Sequence, residues 1–298
     1  MKIVIPGGSG YLGRLLTRHF GTLGHEVVVL AREPSEPGHV RWDPTEIGEW
    51  VSALEGADAL INLAGRSVNC RYDEDNRREI LASRVETTLA LGKAVARTGI
   101  PVWINSSSAT IYRHAEDRPQ TESEGEIGTG FSVDVCKKWE QSCMESDAPE
   151  TRKVLARTAM VFEPGEGGVF EAFYDIVHRG FGGPMGDGRQ MVSWIHAKDY
   201  CRAIEFLIGS SLTGPVNIAS PNPLPNAEFL RVLRREMHTR VALPTTRWML
   251  EVGAQWLGTE TELLLKSRWV LPERLLESGF EFCHPFWDEA ARDILASY

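Results

Sequence analysis

Seven residues near the N-terminus, Gly7-Gly8-Ser9-Gly10-Tyr11-Leu12-Gly13, have the types and spacing to hold a phosphate. Glycines let backbone N–H groups approach a pyrophosphate closely, and a helix starting among them offers partial positive charge. The flanks suit this chemistry. Residues 2–5 (KIVI) are a short apolar, β-branched run of the kind that forms a buried parallel strand. An amphipathic stretch follows over residues 15–23, and Gly13 allows that helix to pack closely on the strand. Strand, glycine turn and helix together make a dinucleotide-binding fingerprint.

The end of the next strand, residues 26–30 (EVVVL), bears on which dinucleotide. An acid about twenty residues past the glycines would bind the ribose 2′-hydroxyl of NAD. Arg32 stands there instead, nineteen residues after Gly13 and just before Glu33. A guanidinium suits a 2′-phosphate, so NADP(H) is the expected cofactor. Two further turns fall at strand ends, where an open α/β sheet binds ligand. Asn62-Leu63-Ala64-Gly65 closes a strand read over residues 57–63, and Ser106-Ser107-Ser108 follows one read over 102–105. Asn62, Leu63, Ala64, Gly65 and Ser106 are assigned to the cofactor. Ser108 either satisfies strand-end backbone groups or places a hydroxyl over a reacting carbon. Later, five glycines within residues 180–188 precede Arg189. Such a loop can move or approach a ligand closely, and Arg189 is the candidate for binding an anionic substrate group such as phosphate or carboxylate. The alternative is a surface hairpin carrying a solvated arginine.

The elements that position these residues alternate between strand and helix. After the second strand come a short strand (40–43), a helix (46–54) and a long helix (74–98). Arg77, Arg78 and Arg84 on the long helix read as mostly solvated, with one of them able to reach a phosphate. A sixth strand lies within 151–162, a helix over 170–179, and a helix over 200–207 whose start Asp199 anchors; His196 beside it reads as structural. A strand at 216–219 returns to the sheet. Helices are then expected at 226–236, 243–256, 260–266, 272–278 (ended by Gly279) and 287–296. This is an α/β fold, a doubly wound parallel Rossmann sheet with a smaller, mainly helical C-terminal substrate or lid region. The expected division is 1–162 plus 192–220 for the dinucleotide-binding domain and 163–191 plus 221–298 for the lid region. The aromatics of the tail (Trp248, Trp256, Trp269, Phe280, Phe282, Phe286, Trp287) form a small lid core or line a pocket.

Composition excludes several classes. The 298 residues carry a net charge of −9 with dispersed basic residues, which disfavours nucleic acid. No apolar run reaches the ~18 residues a membrane span requires. Met1 leads straight into the first strand, so no signal peptide is read. Five scattered cysteines without a CxxC point to a reducing, cytoplasmic setting, and the eight histidines show no metal-ligand spacing, so no metal is expected. The expected partners are a small-molecule substrate and, at most, a second copy of the chain in a homodimer.

The segments GGSGYLG (7–13), NLAG (62–65) and SSSATIY (106–112) resemble those of extended short-chain dehydrogenases/reductases. The last is similar to the catalytic-serine segment of UDP-galactose 4-epimerase. Arg157-Thr158, Trp194-Ile195-His196 with Asp199, and residues 214–219 (GPVNIA) resemble later landmarks of the same superfamily. Residues 182–196 (GGPMGDGRQMVSWIH) and 267–282 (SRWVLPERLLESGFEF) are similar to one atypical subgroup, the epimerase family proteins, which carry a C-terminal domain of unknown function. The similarity runs nearly end to end. It implies the fold and a nicotinamide cofactor, and it implies that the glycine-rich stretch before Arg189 covers the substrate.

The superfamily's chemistry uses a Tyr-x-x-x-Lys pair in which the tyrosine exchanges the substrate proton. If Glu140 matches the glutamate four residues past that lysine, Ser132 falls at the tyrosine and Cys136 at the lysine. Lys137 is no simple replacement, because one residue along a helix turns a side chain by about 100°. Three consequences compete. Another group supplies the proton, with Tyr112 the best candidate and Arg113 and His114 beside it; or hydride transfer proceeds with water or a substrate acid; or NADP(H) is bound without turnover. The expected function is an NADP(H)-dependent oxidoreductase or epimerase-like enzyme with Ser108 and Tyr112 as its catalytic candidates. The alternative is an NADP(H)-binding sensor or scaffold.

Overall fold

The computed structural model describes residues 1–245 and 266–298. Seven strands make one parallel sheet: β1 (Lys2–Pro6), β2 (Glu26–Ala31), β3 (His39–Arg41), β4 (Ala59–Asn62), β5 (Val102–Ser108), β6 (Arg152–Thr158) and β10 (Gly214–Ile218), in the order β10-β6-β5-β4-β1-β2-β3. The chain winds outward from β1 through β2 and β3, then returns to the other side of β1 for β4, β5, β6 and β10. The direction therefore reverses between β1 and β4, and the crevice of an open α/β sheet forms at that reversal.

The pleat sorts the apolar residues. Ile3 and Ile5 enter one core with Leu15, Leu16 and Phe20 of α1 (Tyr11–Thr22) and Tyr200, Ile204 and Leu207 of α5 (Ala197–Gly209). Val4, between them, enters the opposite core with Leu91, Ala94 and Val95 of α2 (Glu74–Thr98), Cys143 of α3 (Phe131–Met144) and Trp50. Successive strand residues point to opposite faces, so a run that is apolar at every position needs cover on both.

A third core gathers Phe162 of β7 (Met160–Phe162), Phe170 and Phe173 of α4 (Phe170–His178), Val192 of β8 (Met191–Val192), Trp194 of β9 (Trp194–His196) and Phe229 of α6 (Asn226–Glu236). Trp287 of the last helix, Trp287–Ala296, stacks on Phe229 with ring centroids 4.0 Å apart. Of the tail aromatics, Trp287 and Phe280 are thus core residues, whereas Phe286 is exposed. Trp248 and Trp256 lie outside the described residues.

Several expected elements shift. The three serines belong to β5 itself rather than to a loop after it, and residues 151–162 hold two strands, β6 and β7. The helix expected over 46–54 is a 3₁₀ segment, Glu49–Leu54. Residues 243–245 run beside the glycine-rich loop instead of beginning a helix, with Leu243 N–H donating to Gly180 O and Thr245 N–H to Pro184 O. The remainder of the helices expected at 243–256 and 260–266 lies outside the described residues, apart from Lys266, which sits in a bend. Among the described residues no helix is long and apolar enough to cross a membrane.

Candidate functional site

The glycine turn sits at the sheet's reversal point. Gly7 has φ +77°, a left-handed conformation, and a Cβ there would stand 2.8 Å from the backbone of Ala64. Residue 7 and the end of β4 therefore approach at a distance only glycine allows. Gly13 is tighter still, since its Cβ would fall 2.3 Å from Gly8 Cα. Between them α1 begins at Tyr11 with Gly10 as its N-cap and no side chain capping the first turn. The opening N–H groups of a helix lack intrahelical acceptors, so this end offers uncapped donors with the positive end of the helix dipole. The residues present fit a pyrophosphate: close backbone, no intruding side chain, donors aimed outward.

The loop after β7 bounds this turn. Tyr11 Oη donates to Glu163 O at 2.9 Å, and Arg14 donates to both Ser9 O (2.9 Å) and Glu166 O (2.6 Å). Across the crevice, Arg32 is exposed directly after β2. Asn62 is fully buried at the end of β4. Its amide donates to Asn105 Oδ1 (2.7 Å) and Thr88 Oγ1 (3.2 Å), and its carbonyl accepts Ala64 N–H (3.1 Å). Asn62 therefore ties β4, β5 and α2 together and shapes the turn through Ala64 and Gly65. Leu63 packs against the core of α1 and α5.

Period-two alternation divides the serines. Ser106 and Ser108 are half-buried on one face, and Ser107 is buried on the other. Ser107 Oγ donates to Glu140 Oε1 at 2.7 Å, while Ser108 Oγ accepts Thr110 N–H at 3.2 Å and caps a short 3₁₀ turn. The Ser108 hydroxyl keeps its own proton to donate.

Tyr112 lies only 1% exposed. Its hydroxyl donates to Asn217 Oδ1 (3.0 Å) and accepts from Arg157 Nη1 (3.0 Å). Burial pushes its pKa up, against the pull of Arg157. The hydroxyl is thus enclosed between β10 and β6, occupied on both sides. His114 faces elsewhere, its Nδ1 accepting Ser267 N–H at 3.1 Å, and Arg113 pairs with Asp117.

On α3, Cys136 is buried, and burial raises its thiol to about 11, leaving it protonated and unreactive at neutral pH. Lys137, the next residue, points away from it and is exposed. Arg84, read from sequence as mostly solvated, is instead half-buried with its Cζ 5.1 Å from the Trp139 ring centre. A Cβ on Gly65 would stand 3.1 Å from that carbon. Arg189 is outside this cluster. Its side chain is 75% exposed and pairs with Asp187 (3.2 Å) and Glu116 (3.6 Å).

One grouping escaped the spacing of the histidines. His196, His284 and Asp293 bring ligand atoms within 4.8 Å of one another. His196 Nδ1 accepts Lys198 N–H at 3.1 Å, so in the neutral ring the proton sits on Nε2, 3.2 Å from Asp293 Oδ2. This is the geometry of a hydrogen bond between helix termini; a metal on Nε2 would have to displace that proton. Asp199 also acts differently from expected. It does not cap α5, whose cap is His196; it accepts Cys283 N–H (2.7 Å) and His284 N–H (2.8 Å) and so anchors the C-terminal tail.

A family model for the NAD dependent epimerase/dehydratase family matches residues 3–219, the span that holds the glycine turn and the small-residue ends of β4 and β5. The chain belongs to that family. A second model, for a domain of unknown function, matches residues 245–294. Among relatives, an epimerase family protein of Mycobacterium bovis is 33% identical over 97% of this chain and 95% of its own length. The human epimerase family protein SDR39U1 is 28% identical over 99% of this chain and 100% of its own. The crystal structure of that human protein, isoform 2, with NADPH superposes with a TM-score of 0.89 over the whole of both chains. A UDP-N-acetylglucosamine 4-epimerase from Bacillus cereus, 16% identical, shares the fold with a TM-score of 0.79 over 96% of its chain and all of this one.

Proposed function

We propose that this chain binds NADP(H) across the glycine turn and acts as an oxidoreductase or epimerase-like enzyme on a small molecule. The observation that carries this reading is the built cradle at Gly7–Gly13, with Arg32 exposed at the end of β2 where a 2′-phosphate would lie. The human relative crystallised with NADPH supports the same cofactor. The bound nicotinamide would supply the hydride chemistry. Asn62 fixes the turn beneath it, and Ser108 on the crevice-facing side of β5 presents a hydroxyl to a substrate oxygen. Tyr112 serves in this reading as a positioning residue, holding the segment after Ser108 against Arg157 and Asn217 rather than exchanging a proton.

The enclosed Tyr112 hydroxyl, with Ser132 and Cys136 on α3, favours a second reading, a sensor or scaffold that binds NADP(H) with little turnover. Fluorescence titration with NADPH and NADH tests the cofactor. Consumption of NADPH with a panel of carbonyl compounds and nucleotide sugars then separates the two readings. On the enzyme reading, Ser108→Ala lowers turnover by roughly 10²–10⁴-fold and leaves NADPH binding intact. NADPH binding with no turnover on any substrate favours the sensor, and absence of binding to either nucleotide defeats both.

A further inference from the structure

The loop that joins β7 to α4, residues 163–168 (EPGEGG), lies along the rim of the glycine turn. Arg14 of α1 donates from Nη1 to Ser9 O in the turn and from Nη2 to Glu166 O in the loop, so one guanidinium spans both. Tyr11 Oη donates to Glu163 O, and Arg18 Nη1 meets Glu163 Oε1 at 3.2 Å. The side chain of Tyr11 lies against the loop's glycines. A Cβ on Gly168 would stand 2.8 Å from its ring, and one on Gly167 would stand 3.6 Å from its Cβ.

Each of these ties from α1 runs through a side chain. Among the described residues the loop's one main-chain bond is internal, from Gly168 N–H to Gly165 O. Arg14 is exposed and the Arg18 side chain is 66% exposed, so water competes for their bonds and each contributes little. Gly165 and Gly167 have φ +147° and +86°, where the lack of a Cβ leaves the backbone free to turn. The ends, by contrast, are fixed, because Phe162 and Phe170 are buried in the third core. Firm ends, glycine joints and side-chain ties let such a segment lift and settle while the core beneath it stays folded.

We propose that residues 163–168 form a strap over the phosphate turn, latched by Arg14, that must lift before the dinucleotide enters or leaves. This rests on the NADP(H) reading of the crevice and goes beyond it. Arg14 then sets how fast the cofactor exchanges, not how tightly it is held. The latch joins protein to protein, through the carbonyls of Ser9 and Glu166, so it closes over an empty turn and a filled one alike. Weakening it raises the open fraction of both states by the same factor. Entry and exit quicken together, and their ratio, the dissociation constant, does not change. A residue that grips the cofactor behaves otherwise, since its loss mainly speeds exit.

The test measures both rates on the full chain by stopped flow, following NADPH fluorescence on mixing and again on displacement by excess NADP. Arg14→Lys keeps the charge that attracts an anionic ligand but lacks the fork that reaches two carbonyls at once. It is expected to raise association and dissociation rates alike by roughly 3–10-fold, the loss of one charge-assisted bond, with the dissociation constant within about twofold of wild type. Glu163→Gln removes the ion pair to Arg18 without touching a cation of α1. It is expected to raise both rates by about twofold, as suits an exposed pair, and it supplies the reading should the lysine variant not fold. Unchanged rates in these variants would overturn the strap. So would faster dissociation with unchanged association, which would make Arg14 a direct contact of the cofactor. Wild-type protein that binds no NADPH would instead overturn the NADP(H) reading on which the strap rests.

Discussion

Arg157 of β6 and Glu140 of α3 form a buried two-pronged ion pair. Nε reaches Oε1 and Nη2 reaches Oε2, each at 2.8 Å, with the side chains 8% and 11% exposed. Ser107 Oγ adds a third bond to Oε1, and Arg157 Nη1 extends the network to Tyr112. One pair thus joins β5, β6, α3 and the turn after Ser108. The bonds to Glu140 hold Arg157 firmly charged despite its burial.

Cutting one side of that pair leaves the other charge buried and unmatched. Arg157→Met is expected to cost about 3–5 kcal/mol of stability, measured by urea denaturation. The double variant Glu140→Leu/Arg157→Met should recover much of the loss, because no charge is then stranded. A double variant as unstable as the sum of the singles would show that the network contributes more than charge pairing.

Two glycines of one helix should respond oppositely to alanine. At Gly13 the new Cβ would overlap Gly8 Cα, pushing the helix away from the turn. Gly13→Ala is expected to lower stability by about 1–3 kcal/mol and to abolish measurable NADPH binding. Gly21 has nothing within 4 Å of its Cβ position. Gly21→Ala should raise stability by about 0.5–1 kcal/mol with NADPH affinity unchanged. Thermal melts with a parallel titration distinguish the pair, and equal behaviour of the two would refute the packing argument.

Cofactor preference is expected to follow Arg32. Its Arg32→Glu variant exchanges a guanidinium for a carboxylate at the end of β2, which repels a 2′-phosphate and can accept from a 2′-hydroxyl. Losing a charge-assisted bond of about 1.5–3 kcal/mol corresponds to a roughly 10–100-fold weaker NADPH complex. NADH affinity should hold or improve. A variant that still prefers NADPH by the wild-type margin would place the 2′-phosphate elsewhere.

Acid should loosen the tail of the molecule through His196. Burial first, then the adjacent His284, holds its pKa down to about 4, against an ordinary value of 6.5, while Asp293 and Asp199 pull the other way and Lys198 adds to the depression. Between these pH values the unfolded chain takes up a proton that the folded chain refuses. The contribution of His196 is therefore complete above about pH 6.5 and shrinks as pH falls toward 4. The melting temperature is expected to drop between pH 7 and 5. His196→Asn keeps an acceptor for Lys198 N–H and cannot titrate, so its profile should be flatter over that interval. A variant with the wild-type slope would assign the acid sensitivity to other groups.

The glycine turn was legible because its chemistry is local: a strand, a turn that needs close backbone and a helix, all within residues 2–22. The last helix was legible to the residue, Trp287–Ala296, because its apolar positions repeat on one face. Arg84 was misjudged for the converse reason. On α2 it reads as one of several arginines among polar neighbours, and only the approach of Gly65 and Trp139 from other elements covers part of it. His196 is far in the chain from His284 and Asp293, and the three meet only where α5 and the tail pack together.

By itself the sequence determined the alternation of strand and helix, the position of the phosphate turn and the arginine expected to choose its cofactor. These depend on backbone geometry and side-chain period over a few residues. The tertiary structure decided which hydroxyls and charges remain available. It enclosed Tyr112 between Asn217 and Arg157, matched Arg157 with Glu140, and left Arg84 at the crevice without a carboxylate among the described residues. Burial and pairing are properties of neighbours distant in the chain, and they set the proton affinity and reach of a side chain more strongly than its own identity does.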